Sequence, residues 1–362
     1  MNLEINIENK LKRFECISDV KTVTIILVLV MHCMLFYAGN PFFPEVADFY
    51  SPAVKFLSHM SDAVIIGSFM LCSGFLYANS VSRKKRSVAY FLKTRTLKFT
   101  KFYYIYGALW VVPLYTIFDI SCFGRPEHAG WGEGYLYMLL GSFADHLWFL
   151  WLLIWISLIF ILLKPLIEKK HYILTAVIYL AVILFIQLFL QDFPYFKLSQ
   201  IPAFTTPYFL GILLYELYDS IDRLPLWGLA AIFGFLFLFV LFYDKFGESH
   251  YLINWLFRAL GSMAHFFLFF MLEKSEFFVR LRNSRYWDYT QSHGLQLYLF
   301  NCPVIYLYFR LLYPLIGQNV FLCCFTNFVL SLTTLYILVF LQDKAKNFCT
   351  ARISKIIKFK RS

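Results

Sequence analysis

Lys21 and His32 stand eleven positions apart in the stretch DVKTVTIILVLVMHC, residues 19–33. One side chain carries a fixed charge and the other exchanges a proton near neutral pH, yet both sit in an apolar run long enough to enter a bilayer. On an α-helix eleven residues turn through roughly 1100°, about 20° from three whole turns, and rise about 16 Å. The two side chains therefore face the same way, with Lys21 at the cytoplasmic boundary and His32 near mid-membrane. An imidazole at that depth is costly unless it is paired or faces a wet cavity, so it marks a functional position by default. The competing reading is a neutral His bonded to a neighbouring helix. Lys21 alone decides nothing, because snorkelling cations end many spans.

The elements that must position these groups follow from composition. A chain of 362 residues that is 60% hydrophobic and 15% charged, with a mean hydropathy of +0.63, cannot present an ordinary water-facing surface. Ten apolar windows predict an all-α polytopic membrane protein: about 20–39, 58–78, 102–119, 147–163, 172–190, 203–218, 226–243, 253–272, 292–314 and 320–341. The first run has no small-residue cleavage site after it and is expected to stay as a helix. If ten helices alternate from a cytoplasmic N-terminus, most of the 33 Lys and Arg residues fall on the cytoplasmic side. This places both termini in the cytoplasm. The net charge of +11 then speaks for anionic lipid headgroups rather than nucleic acid. The eight cysteines are scattered and imply neither a disulfide framework nor a metal site. A single membrane domain is predicted over 1–362, its core about 18–342 and a basic cytoplasmic tail at 343–362.

Other polar residues refine the expectation. Arg95 and Lys98, before the third window, are three apart; on a helix they share a face and can hold phosphates as a pair. Ser73, Asn254, Arg258, His265, His293 and Gln296 fall within spans. Arg258 and His265, seven apart, either line a polar channel or bond to neighbours. The outer loop, roughly 120–146, either caps the outer face or lines an acceptor site, and its GYLYMLL stretch can dip back toward the membrane.

Several of these stretches together resemble the bacterial membrane-bound acyltransferases called acyltransferase family 3. That family's first helix has a basic residue, ten positions and a His, as Lys21 and His32 do here. MLCSGFLYA, with Ser73, Gly74, Phe75 and Leu76, is similar to its Ser-Gly-Phe/Tyr-Leu stretch. YFLKTRTLKF resembles its Arg-x-x-Arg motif, with Lys98 in the second place. HLWFLWLL, from His146 to Phe149, resembles its His-Leu-Trp-Phe stretch, and PYFLGILLYE and LYLFNCPVIY are similar to later helices. The chain departs from the pattern at three places. Ser18 stands where an Asp is common, with Asp19 one step late; Gln296 and Asn301 replace a Gly and a His; and Lys98 keeps charge but loses the bidentate fork of Arg.

The resemblance implies transfer of an acyl group, acetyl by default and succinyl as an option, from cytoplasmic acyl-CoA to a hydroxyl of a cell-envelope polysaccharide or glycolipid. It implies a place in the bacterial inner membrane, alongside lipids and other envelope polysaccharide enzymes. Lys21, Arg95, Lys98 and Ser73 would bind the coenzyme A end. His32 would act as general base or transient acyl carrier, and Asp145, His146 and Trp148 would receive the acceptor. No metal is called for. A transporter or flippase using His32 as a proton relay, or a non-catalytic subunit of a polysaccharide export system, are the alternatives.

Overall fold

The structure, a computed structural model, describes residues 2–38, 51–82, 85–120, 130–142, 145–246 and 251–359. Every regular element among them is helical. In chain order these are α1 (Asn2–Leu35), α2 (Pro52–Ser82), α3 (Val88–Phe91), α4 (Lys98–Tyr106), α5 (Val112–Ile117), α6 (Trp131–Leu139), α7 (Trp148–Leu162) and α8 (Lys164–Glu168). There follow α9 (Tyr172–Phe189), α10 (Ile201–Asp222), α11 (Leu226–Phe246), α12 (Tyr251–Leu272), α13 (Glu276–Arg282), α14 (Arg285–Ile316) and α15 (Val320–Phe359). Backbone polar groups cannot be left exposed to hydrocarbon, and helices satisfy them internally.

Six helices among the described residues are long and apolar enough to cross a membrane: Glu15–Leu35, Pro52–Ser82, Tyr172–Phe189, Asn254–Leu272, Arg285–Ile316 and Val320–Phe348. Two more apolar helices, Trp148–Leu162 and Leu226–Phe242, are shorter. The remaining two of the ten windows, the third and the sixth, are helical but differ in character. The third is broken, passing through π-helical turns at Leu92–Leu97 and Gly107–Val111 with α4 between them and Pro113 opening α5. α10 is diluted by Pro202, Pro207, Thr205 and Thr206 and by Glu216 and Asp219.

Burial orders the helices from the inside out. The apolar window of α2 is 78% buried and that of α1 67%, against 22% for α15 and 17% for α9. α2 is therefore the central post, packing on α10, α12, α1 and α11, while α9 and α15 show most of their surface to lipid. The α2–α10 crossing is unusually close. A Cβ on Gly74 would lie 1.8 Å from the Tyr208 carbonyl oxygen, and one on Gly211 would lie 1.9 Å from that of Leu71. Small residues at such crossings let backbones approach where lipid supplies no hydrophobic drive.

Part of the segment 120–146 packs back on the broken span. Within α6, the Tyr135 hydroxyl donates to the Ala108 carbonyl at 3.1 Å, and Tyr104 donates to the carbonyl of Leu139 at 3.2 Å. Residues 121–129 and 143–144 of that segment lie outside the described residues, as do Arg83 and Lys84 of the basic stretch before the third span.

Gly74→Ala or Gly211→Ala must force α2 and α10 apart, costing about 1–3 kcal/mol as overpacking does. Each is expected to lower the thermal midpoint in detergent. Gly234→Ala, where an added Cβ meets nothing within 4 Å, should leave the midpoint in place. Equal midpoints for all three variants would contradict this packing.

Candidate functional site

Near the start of its apolar span, at Lys21, α1 comes close to the start of the third span. Lys21 is accessible, yet it is hemmed in by protein. Arg95 and Lys98 both lie close enough for their charges to act on it. Arg95 belongs to the π-helical turn Leu92–Leu97, and such turns are rare and often occur at functional sites. Its Nη1 donates to the Ser73 carbonyl and to the Tyr208 hydroxyl, both at 3.3 Å, and the guanidinium stands 5.6 Å from the centre of the Tyr77 ring. The α2–α10 crossing thus supplies the seat for Arg95, and Ser73 contributes its carbonyl. Lys98 is exposed, its Nζ 5.8 Å from the Phe102 ring centre. Arg95 and Lys98 do converge on Lys21, but a π-helical turn rather than an α-helical face brings them there.

Asp19 does not neutralise this trio. It is fully buried and turned toward other groups: Trp287 Nε1 donates to it at 3.0 Å, and Arg282 lies 3.5 Å away. The same Arg282 Nη1 is 2.9 Å from Glu15 and 3.7 Å from Glu273. One guanidinium therefore ties α1, the end of α12 and α13 together.

Farther along α1, His32 is 7% exposed and His146 only 1%. Their rings are close enough for a charge on one to act on the other. His146 lies in the helical turn Asp145–Leu147 that leads into α7. Its Nδ1 is 3.2 Å from the Tyr115 hydroxyl, and its carbonyl accepts a bond from the Tyr298 hydroxyl. The ring also lies against the Leu299 carbonyl. Pro303, four residues on within α14, has no N–H to offer that carbonyl, so the helix itself leaves it available. Asn301, on the same turn of α14, is fully buried and adjoins His32 as a hydrogen-bonding neighbour. The contact is loose, since neither amide atom of Asn301 attains good hydrogen-bond geometry. Phe149 braces this wall, its ring 5.1 Å from Phe69 and 5.8 Å from Tyr298.

The expected acceptor residues are thus distributed differently from a single outer surface. His146 belongs to the buried centre beside His32. Trp148 is half-buried, 5.6 Å from Phe204, on whose ring Arg258 stacks at 4.7 Å. The side chain of Asp145 lies outside the described residues. Arg258 and His265 prove to be bonded to neighbours. Arg258 donates to both oxygens of Asp62, at 2.5 and 3.4 Å, and to Asn254 at 2.5 Å; His265 Nδ1 is 2.9 Å from the Ser68 hydroxyl. Sequence reasoning missed Asp62, Tyr115, Tyr208, Arg282 and Tyr298. Asp62 had a signal, being a carboxylate inside an apolar window, and Tyr208 and Tyr298 lie in the PYFLGILLYE and LYLFNCPVIY stretches.

The sequence matches the acyltransferase family 3 profile, described as an acyltransferase domain, over residues 17–341. The chain belongs to that family. Neither the curated proteins nor the solved structures gave a match.

Arg282→Ala would leave buried Asp19 and two further carboxylates without their cation, and breaking a buried pair costs about 3–5 kcal/mol. A large fall in thermal midpoint is expected. Arg280→Ala removes only an exposed pair with Glu276, 82% and 91% accessible, and should not move it. Equal midpoints for the two variants would contradict the clamp.

Proposed function

We propose that this family member transfers an acyl group, acetyl in the first instance, from acyl-CoA to a hydroxyl of a cell-envelope polysaccharide or glycolipid. In this reading the chain crosses the bacterial inner membrane ten times, with both termini and the Lys21 end in the cytoplasm, and works beside other envelope polysaccharide enzymes. One observation carries it: three cations gathered near the start of the apolar span of α1, Glu15–Leu35, with a buried imidazole farther along the same helix. Like charges held together in a poorly screened site repel one another, and a polyanion relieves that cost. Coenzyme A is such a polyanion. Its phosphates would lie on Lys21, Arg95 and Lys98, Arg95 offering the planar donor fork that suits phosphate.

The pantetheine arm would then run along α1 and bring the thioester to His32. There the imidazole either removes the proton from the acceptor hydroxyl or takes the acyl group on nitrogen and passes it on. The acceptor would approach from the side where Trp148, Phe204 and Arg258 form an aromatic and polar rim. Asp62 already compensates the charge of Arg258, which suits a hydroxyl-rich ligand that needs donors and acceptors more than net charge.

The test is CoA release by purified protein given acetyl-CoA and an envelope glycan extract. Acceptor-dependent release should fall at least about 100-fold in His32→Ala, while Lys21→Ala should chiefly raise the KM for acetyl-CoA. Equal release from wild type and His32→Ala, with acetyl-CoA and with succinyl-CoA, would sink the proposal and favour transport.

A further inference from the structure

The acyl-transfer reading uses one histidine, yet the structure buries a second, His146, near enough for a charge on one ring to act on the other. His146 is held on several sides: the Tyr115 hydroxyl on Nδ1, the Tyr298 hydroxyl on its own carbonyl, and the Leu299 carbonyl against its ring. These contacts come from α5 and α14, while His32 comes from α1, so three separate helices converge on one imidazole. The groups facing it are His32, Tyr115 and Tyr298, with Cys302 beside Tyr298. So elaborate a seat is more than a mere packing residue requires, and it lies next to the ring assigned to the chemistry.

We propose that His146 is a positioning residue of the His32 centre, sharing the proton that His32 takes from the acceptor hydroxyl, with Tyr115 holding the His146 ring for that exchange. This rests on acyl transfer at His32. In the reaction the hydroxyl oxygen forms a bond to the thioester carbonyl carbon and its proton passes to His32. The carbon–sulfur bond then breaks, its electron pair leaves on the CoA sulfur, and the proton returns through His32 to that thiolate. Between these events a positive charge sits on His32 in a poorly hydrated site. A neighbouring imidazole can take the proton on its own nitrogen and so spread the charge over two rings. Two imidazolium ions side by side would repel, so the pair handles one proton at a time.

The decisive variants are His146→Gln and Tyr115→Phe in the full-length protein. Glutamine can still bond to Tyr115 but cannot carry the proton. A purely structural His146 would therefore tolerate that change. The expected result is a kcat for CoA release lowered about 100-fold in His146→Gln, with the KM for acetyl-CoA unchanged, and a smaller loss in Tyr115→Phe. A kcat within about threefold of wild type in His146→Gln, or a raised acceptor KM at unchanged kcat, would overturn the assignment. A second measurement does not depend on turnover: nitrogen-15 spectra of histidine-labelled protein, in which the His146 ring signals should move in both His32→Gln and Tyr115→Phe. Unmoved signals would also overturn it. A wild-type protein that releases no CoA with any donor defeats the acyl-transfer reading instead, and the spectra still report whether the two rings are coupled.

Discussion

A charge or strong hydrogen-bonding group inside hydrocarbon must find its partner within the protein, and that requirement organises this bundle. Arg258 is matched by Asp62 and Asn254, joining α12 to α2. His265 is matched by Ser68 across the same pair of helices. Arg282 gathers Glu15, Asp19 and Glu273 where the apolar span of α1 begins. Each pairing fixes the rotation and height of one helix against another, which apolar contact alone specifies poorly. Among the described residues the Lys21, Arg95 and Lys98 group departs from the rule, since cations there face cations. Its exception is meaningful because compensation is so regular elsewhere, and it sits on the same helix as His32.

Much of this was legible in the sequence, and the illegible remainder has physical causes. The geometry linking Lys21 to His32 needs only a regular helix, and α1 is one. Eight of the ten apolar windows fall on apolar helices, six of them long enough to cross a membrane, because apolar length is a strong local signal; the third and sixth do not qualify, being interrupted by π-helical turns or diluted by proline and polar residues. The role of Gly74 in the Ser-Gly-Phe-Leu stretch could not be read, since it depends on the Tyr208 backbone far along the chain. The same holds for Tyr115, Tyr298 and Asn301, which reach the histidines only through tertiary packing. His146 was expected at an outer surface because it follows a loop. It lies in the core because that loop enters a helical turn already beneath Tyr298.

Proline has a constructive part in the centre. Pro303 interrupts the hydrogen bonding of α14 two residues after Asn301, and the carbonyl it leaves behind is the one against which His146 rests. A helix terminus would supply the same acceptor only at the edge of the membrane. An internal proline supplies it partway along the helix, where the rest of the backbone is closed to side chains.

The broken third span has a consequence for how this chain can vary. On an uninterrupted α-helix, Arg95 and Tyr115, twenty positions apart, would point about 200° away from each other. Both nevertheless face the interior, one reaching Ser73 and the other His146. The π-helical turns at Leu92–Leu97 and Gly107–Val111 each take up extra chain, and that slack lets both ends aim inward. Losing a single residue from this segment would swing one end by about 100° relative to the other. Length in this stretch is therefore held more tightly than residue identity. Relatives should tolerate exchanges of side chain here far more readily than insertions or deletions.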